Sequence, residues 1–399
     1  MQRGCGAIRG PFFCYRQYTN LSAQQHPPPS PTSELAVEFC RPMGKVLLLA
    51  TAPDIPEAYL AVGLHQRGFD ILWMGGGLDT RYGEPINNTS IETVRLPLSS
   101  RCDPRALRTI RSAVKKHGIR LIHAFSSRAI SNAVIATAGL DIPILGYRGT
   151  MAHVSRWDPA NWLTYRHPRV KKIICVCDAV RNSLINDGLS PERVVRIYKG
   201  HHPSWYSNTQ SNLSACGIPE NARTVSCIAR EDVAPAVKTL LTAFSQLPAV
   251  LAAHAVVIGP VRPASCLPAD MTPEVSARIH FLGEQPNAAA IVGASSVSFI
   301  PSRHRDGLPK KAIEAMIQGV PVIATAAGGL SEIIVDGSSG VIIPPSDAAA
   351  LSAVLQRLLS DEHFARSLRE GGERRIAEAF SIEQTISQTA ELYSQLLGV

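Results

Sequence analysis

No apolar run in this 399-residue chain approaches the ~18 residues that a membrane-crossing helix needs. Nor does its opening stretch hold the continuous hydrophobic core of a secretory signal. The nine cysteines are scattered and form no CxxC pair, so neither a metal framework nor a disulfide scaffold is expected. Cys175 and Cys177, which flank one residue of an apolar stretch, read as small buried residues of a reducing cytosol. The first strand-to-helix turn reads Thr51-Ala52-Pro53-Asp54 and lacks GxGxxG, which argues against a dinucleotide site there. A recognition helix, a zinc finger and an aromatic single-strand-binding motif are also missing, so nucleic acid is not an expected partner. The excess of 40 Lys+Arg over 32 Asp+Glu, a formal charge of +8, then points to an anionic ligand or a membrane surface.

Charged residues at 18% and hydrophobic residues at 45% describe an ordinary globular chain. Its length exceeds what one core usually serves, so two domains are expected. Residues 1–42 fall outside that scheme. Arg3, Arg9 and Arg16 precede any acid, and a proline-rich run follows at Pro27-Pro28-Pro29-Ser30-Pro31. The segment reads as a disordered extension, or as translation assigned upstream of a start at Met43; an organellar address is the alternative.

From Met43 onward strands and helices alternate. Near-continuous apolar strands are expected at Val46–Ala50, Asp70–Met74, Thr93–Leu96, Leu121–Phe125, Ile144–Tyr147, Ile173–Cys177 and Val194–Tyr198. Helical patterns lie between them, among them Glu57–Arg67 and Pro104–His117. The pattern lapses over residues 200–221 and resumes at Val225–Ile228, continuing through Val297–Ile300 to Val341–Ile343 and three helices beyond. The last of these opens with Ser381 and Gln384 at capping-box spacing. Strands of this kind indicate parallel sheets covered on both faces, which bind ligands at their carboxyl ends. The expected class is therefore α/β: two Rossmann-like parallel-sheet domains facing a cleft, at 43–208 and 209–380, with residues 381–399 a helix that packs back toward the first domain. His201-His202, in the linking stretch, has no third ligand nearby and reads as incidental. The helix Pro104–His117 carries Arg105, Arg108, Arg111, Lys115 and Lys116 around an apolar stripe. It is either a solvated surface helix or a face that docks on anionic lipid.

The densest functional signal is Pro301–Met316, PSRHRDGLPKKAIEAM. An apolar strand ends at Pro301, a polar turn follows, and a helical pattern starts near Pro309, which suits a first turn. Backbone N–H groups and the helix dipole favour an anion at such a place. Asp306 and Glu314 bracket it, and carboxylates beside an anion site suggest a ligand with both phosphate and hydroxyls, such as a nucleotide sugar.

The ordered run Asp306-Gly307-Leu308-Pro309-Lys310-Lys311-Ala312-Ile313-Glu314-Ala315-Met316, then Gly319-Val320-Pro321-Val322, Gly328-Gly329, Glu332 and Gly340 through Pro344-Pro345, resembles the signature of the family-four glycosyltransferases of the GT-B fold. The resemblance extends from Met43 to the C-terminus. In the first half, Tyr147-Arg148-Gly149-Thr150, Ser155-Arg156 and Asp178-Ala179-Val180-Arg181 resemble a bacterial branch that builds lipopolysaccharide or exopolysaccharide. The resemblance implies a retaining, cytoplasmic hexosyltransferase with a nucleotide-sugar donor and a glycan or glycolipid acceptor, peripheral at the inner membrane face or free of it. It implies no cofactor and no metal. Glu314 would accept from the nucleotide ribose and Asp306 from the donor sugar, while the backbone of Gly307 and Leu308, ahead of Pro309, would face the diphosphate. Arg230 matches the arginine that neutralises the departing diphosphate. His153 would reach a donor hydroxyl, and Arg148 and Arg156 an anionic acceptor.

Two departures stand out. The family pairs its arginine with a lysine five residues on; here the loop reads Arg230-Glu231-Asp232-Val233-Ala234-Pro235, so Pro235 stands in the lysine's place and two acids are added. Lys238, one helical turn further, is a candidate substitute. Asp306 also replaces the usual glutamate, one methylene shorter. The alternatives to an active transferase are therefore a degenerate GT-B protein that binds but turns over poorly, or a sugar-nucleotide epimerase.

Overall fold

Two parallel sheets organise the chain. The computed structural model describes residues 44–206, 213–302 and 305–399. The expectations for residues 1–42 and for the polar stretch 207–212 lie outside the described residues. The first sheet contains β1 (Lys45–Leu49), β2 (Asp70–Gly75), β3 (Glu92–Arg95), β4 (Ile119–Ala124), β5 (Ile144–Arg148), β6 (Val170–Cys175) and β7 (Val194–Arg196). The second contains β8 (Thr224–Ile228), β9 (His254–Ile258), β10 (Ile279–Gly283), β11 (Val297–Ile300), β12 (Val322–Thr325) and β13 (Val341–Ile343). Their orders are β3-β2-β1-β4-β5-β6-β7 and β10-β9-β8-β11-β12-β13. Each order reverses direction beside its first strand, between β1 and β4 and between β8 and β11. These are the switch points at which such sheets open a crevice.

The apolar strands are continuous because both faces are covered. In β1, Leu47 and Leu49 join one core and Val46 and Leu48 the other, the period of two that a pleated strand imposes. In the second sheet, Ala255 and Val257 of β9 separate from Val256 and Ile258 in the same way. The helix ends carry their own signals. Asp103 accepts from the Arg105 and Ala106 N–H groups at the start of the helix Pro104–His117, and Gly118, at φ 60°, ends it. On that helix Arg105, Arg108, Lys115 and Lys116 are exposed. Arg111 instead donates to the Ala136 and Ala138 carbonyls at 2.9 and 3.0 Å, a structural anchor.

The last helix, Ile382–Leu397, packs on the first sheet, where Leu392, Tyr393 and Leu397 enter a core shared with Val46 and Leu48. Tyr393 Oη lies 2.8 Å from His123 Nδ1 in that core. Only half of its expected capping box forms: Ser381 Oγ accepts from Gln384 N–H, while the Gln384 side chain donates to the Glu378 carbonyl at 2.6 Å. The chain passes between the sheets twice, side by side. His201 N–H donates to the Phe380 carbonyl at 2.7 Å, Ile382 N–H to the His201 carbonyl at 3.1 Å, and Gly200 N–H to Thr385 Oγ1 at 2.9 Å. His201 is thus a buried structural residue, its ring 2.7 Å from Tyr206 Oη.

Candidate functional site

The carboxyl ends of β8, β9, β10 and β11 open into a cleft of about 890 Å³, walled on the opposite side by Gly149 and Thr150 of the first domain. It lies at the β8/β11 switch point. Arg230, Asp306, Gly307, Leu308, Pro309 and Glu314 all line it. The helix behind it runs Lys310–Ile317, with Pro309 one residue ahead, at the cap position rather than inside the first turn. The proline's fixed φ and lack of an N–H suit both positions.

The turn that carries Asp306 is held from the first domain. Residues Thr150 and Asp306 pair as an antiparallel bridge, and Met151 N–H donates to the Arg305 carbonyl at 3.2 Å. Ser302 Oγ donates to Asp306 Oδ2 at 3.2 Å. Gly307 is required by close approach: a Cβ there would stand 2.2 Å from the Gly149 carbonyl oxygen. Its own carbonyl accepts from Gly329 N–H at 2.9 Å. A second cross-domain contact lies beside it. Glu332 accepts from Asp178 N–H at 2.7 Å, from Ala179 N–H at 2.8 Å and from Tyr198 Oη at 3.2 Å.

Glu314 is nearly enclosed. Burial raises its pKa, while Lys310, 3.3 Å from Oε1, and a hydrogen bond from Tyr206 favour the charged form. Lys310 reaches across to Asp54 Oδ1 at 3.6 Å. Asp54 also pairs with Lys199 at 3.0 Å, and Lys199 with Glu57 at 3.0 Å. Burial alone would raise the Asp54 carboxyl, but Lys199 and Lys310 hold it down at about 2. A chain of alternating charge therefore runs from the first domain to the ribose-binding candidate.

The loop after β8 disposes of its two acids. Glu231 accepts from the Arg262 backbone N–H at 2.8 Å and from its guanidinium at 3.0 and 3.2 Å. That backbone bond, followed by the side-chain bonds, lowers its carboxyl to about 2. Asp232 Oδ1 lies 3.7 Å from Arg230 Nε. Pro235 is exposed in the first turn of the helix Ala234–Ser245. Lys238 is exposed on the same helix and does not line the cleft.

Three other candidates fall outside it. His153 pairs through Nδ1 with Asp187, which also accepts from Val154 N–H at 2.7 Å, and the histidine side chain is 72% exposed. Arg148 donates to the Thr150 and Ala152 carbonyls and lies over the Tyr165 ring, so it shapes the loop that meets Asp306. Arg156 stacks over Trp157, which is exposed. Among the described residues no cluster of three or more His, Cys, Asp or Glu has the geometry to hold a metal.

Sequence reasoning passed over Lys310, Lys311 and Tyr206. The lysine pair did carry a signal: cations in a helix's first turn oppose its dipole and call for a carboxylate or a phosphate nearby. Tyr206 carried none, since its meeting with Glu314 depends on the crossing between domains.

The family model described as "Glycosyltransferase Family 4" matches residues 58–205, and that described as "Glycosyl transferases group 1" matches residues 222–361. An MMP alpha-(1->4)-mannosyltransferase of Mycolicibacterium hassiacum is 36% identical over 111 residues, 28% of this chain and 27% of that one. A lipopolysaccharide core biosynthesis mannosyltransferase of Rhizobium leguminosarum is 32% identical over 124 residues, 31% of this chain and 35% of its own. These matches span about a third or less of the relatives' length. HepE of Anabaena, crystallised in complex with UDP and glucose, superposes with a TM-score of 0.68 at 18% identity, covering 88% of this chain and 100% of that chain. At that identity the likeness speaks for the fold.

Proposed function

With a family-four domain across its first sheet and a group 1 domain across its second, the chain belongs to the family-four glycosyltransferases of the GT-B fold, and from that premise we propose that it moves a sugar from a nucleotide-sugar donor to a hydroxyl acceptor with retention. The observation that carries this reading is the meeting of Asp306, Glu314, Arg230 and a helix N-terminus on one cleft at a switch point. Glu314 accepts from the ribose, Asp306 from sugar hydroxyls, and the Gly307 and Leu308 N–H groups face the diphosphate. The bond from the anomeric carbon to the diphosphate breaks as that from the same carbon to the acceptor oxygen forms, on one face. The acceptor proton passes to the leaving phosphate oxygen, so no protein base is needed. Arg230 and the helix dipole stabilise the charge that grows there, and no metal is expected.

HepE, crystallised with UDP and glucose, supports the donor class, and the lipopolysaccharide-core relative supports an acceptor in surface polysaccharide synthesis. Work on such an acceptor fits a cytoplasmic protein peripheral to the inner face of a membrane. Arg105, Arg108, Lys115 and Lys116, exposed on one helix, are the docking surface we assign to it. Reversing those four charges should abolish sedimentation with anionic vesicles; unchanged sedimentation refutes the assignment.

The donor reading is tested by thermal stabilisation with UDP- and GDP-sugars, where a ligand at 100 times its dissociation constant adds about 2.7 kcal/mol. Release of nucleoside diphosphate with an acceptor extract then reports transfer. Stabilisation without release favours a degenerate binder, a reading that Pro235 supports. Interconversion of the sugar without an acceptor indicates an epimerase. Absence of any stabilisation refutes the donor reading.

A further inference from the structure

Lys310 and Lys311 open the helix Lys310–Ile317, where partial positive charge on the helix end disfavours cations. Lys310 is accounted for by Glu314 and Asp54, at 3.3 and 3.6 Å. Lys311 has no such partner. Its Nζ donates to the Ile228 carbonyl at 2.9 Å, and among the described residues no carboxylate forms an ion pair with it. Burial pushes its ammonium below the usual lysine range and Arg230 pushes it the same way, only partly opposed by Cys227, Asp306 and Asp232. A half-buried cation at the positive end of a helix, beside a guanidinium and held by one neutral carbonyl, is costly until an anion completes it.

The cleft wall shows which anion. Lys311 and Arg230 both line the cleft, and Ile228, the carbonyl partner of Lys311, is the last residue of β8, two before Arg230. Asp232 already offsets part of the Arg230 charge. The expected second cation is missing from position 235, and Lys238 is exposed and does not line the cleft. We propose that Lys311 supplies that second cation and, with Arg230, holds the diphosphate of the donor. The charge has moved from the loop after β8 to the helix after β11, on the other side of the same switch point. This rests on the nucleotide-sugar reading and deepens it.

The test is titration of the full chain with UDP and GDP, and with UMP and GMP as controls, each beside the ligand-free melting temperature. Lys311→Met should weaken the diphosphates about 10- to 150-fold, the loss of one charge-assisted contact, and leave the monophosphates unchanged. Lys311→Arg should keep most of the affinity, and adding Pro235→Lys to Lys311→Met should recover part of it. Undiminished diphosphate binding by Lys311→Met overturns this assignment alone. Equal weakening of monophosphates and diphosphates overturns it too, since a structural role would act on both. A wild-type chain that binds neither UDP nor GDP overturns the donor reading and this inference with it.

Discussion

Glu332→Gln isolates one contact between the two domains. The helix Asp178–Asn186 has no side-chain cap of its own, because Cys177 stands at its cap position without a capping bond. Glu332 caps it from the other domain, with one carboxylate oxygen 2.7 Å from Asp178 N and the other 2.8 Å from Ala179 N. Glutamine keeps one acceptor and turns an NH2 toward the second N–H. The loss of one charge-assisted bond is about 1.5–3 kcal/mol, and the loss of negative charge at a helix start about 0.3–1 kcal/mol. Together about 2–4 kcal/mol should leave the contact. Urea unfolding should show a lower midpoint, and amide exchange should accelerate at Ala179 while β1 stays protected. Glu332→Asp tests reach, since the shorter carboxylate keeps the charge but not both distances. An unchanged midpoint together with unchanged exchange at Ala179 refutes the reasoning.

Two further outcomes are expected. Burial lowers His123 and His201 to about 3, below the 6.5 of a free imidazole, so the unfolded chain binds more protons between those values. Stability is therefore full above pH 6.5 and is lost as pH falls toward 3, at about 1.4 kcal/mol per pH unit for each ring. Unfolding free energies measured between pH 7 and 5 should show that slope, His123→Gln should halve it by leaving only His201, and pH-independent stability counts against neutral burial. Gly307→Ala should cost about 1–3 kcal/mol, because its Cβ would stand 2.2 Å from the Gly149 carbonyl oxygen. A melting temperature equal to wild type would show that this approach is not tight.

Much of the fold was readable because parallel strands buried on both faces are simple runs. Val297–Ile300 and Val341–Ile343 have the bounds expected of them, as do the helices Pro104–His117 and Ile382–Leu397. The single-turn helices at Glu84–Asn87, Pro159–Trp162 and Leu330–Ile333 were missed, since four residues carry no period. The capping box failed at Gln384 because its side chain donates instead to the Glu378 carbonyl, six residues back at the end of the preceding helix. In the site, ordered spacing brought out Asp306 and Glu314, which lie on one continuous segment. The engagement of Glu314 by Tyr206, and the retreat of His153 to Asp187, depend on pairings between distant segments that no local pattern carries.

The two passages of the chain between the domains are bonded to each other at His201, Phe380 and Ile382. A single tether would leave one lobe free to swivel in every direction, whereas two neighbouring tethers define a line. Any relative movement of the lobes must bend both passages together, and parting the lobes at the cleft must also break the Thr150–Asp306 bridge and the Glu332 bonds to Asp178 and Ala179. The final helix, last in sequence yet packed on the first lobe, thereby ties the end of the second lobe back to the first.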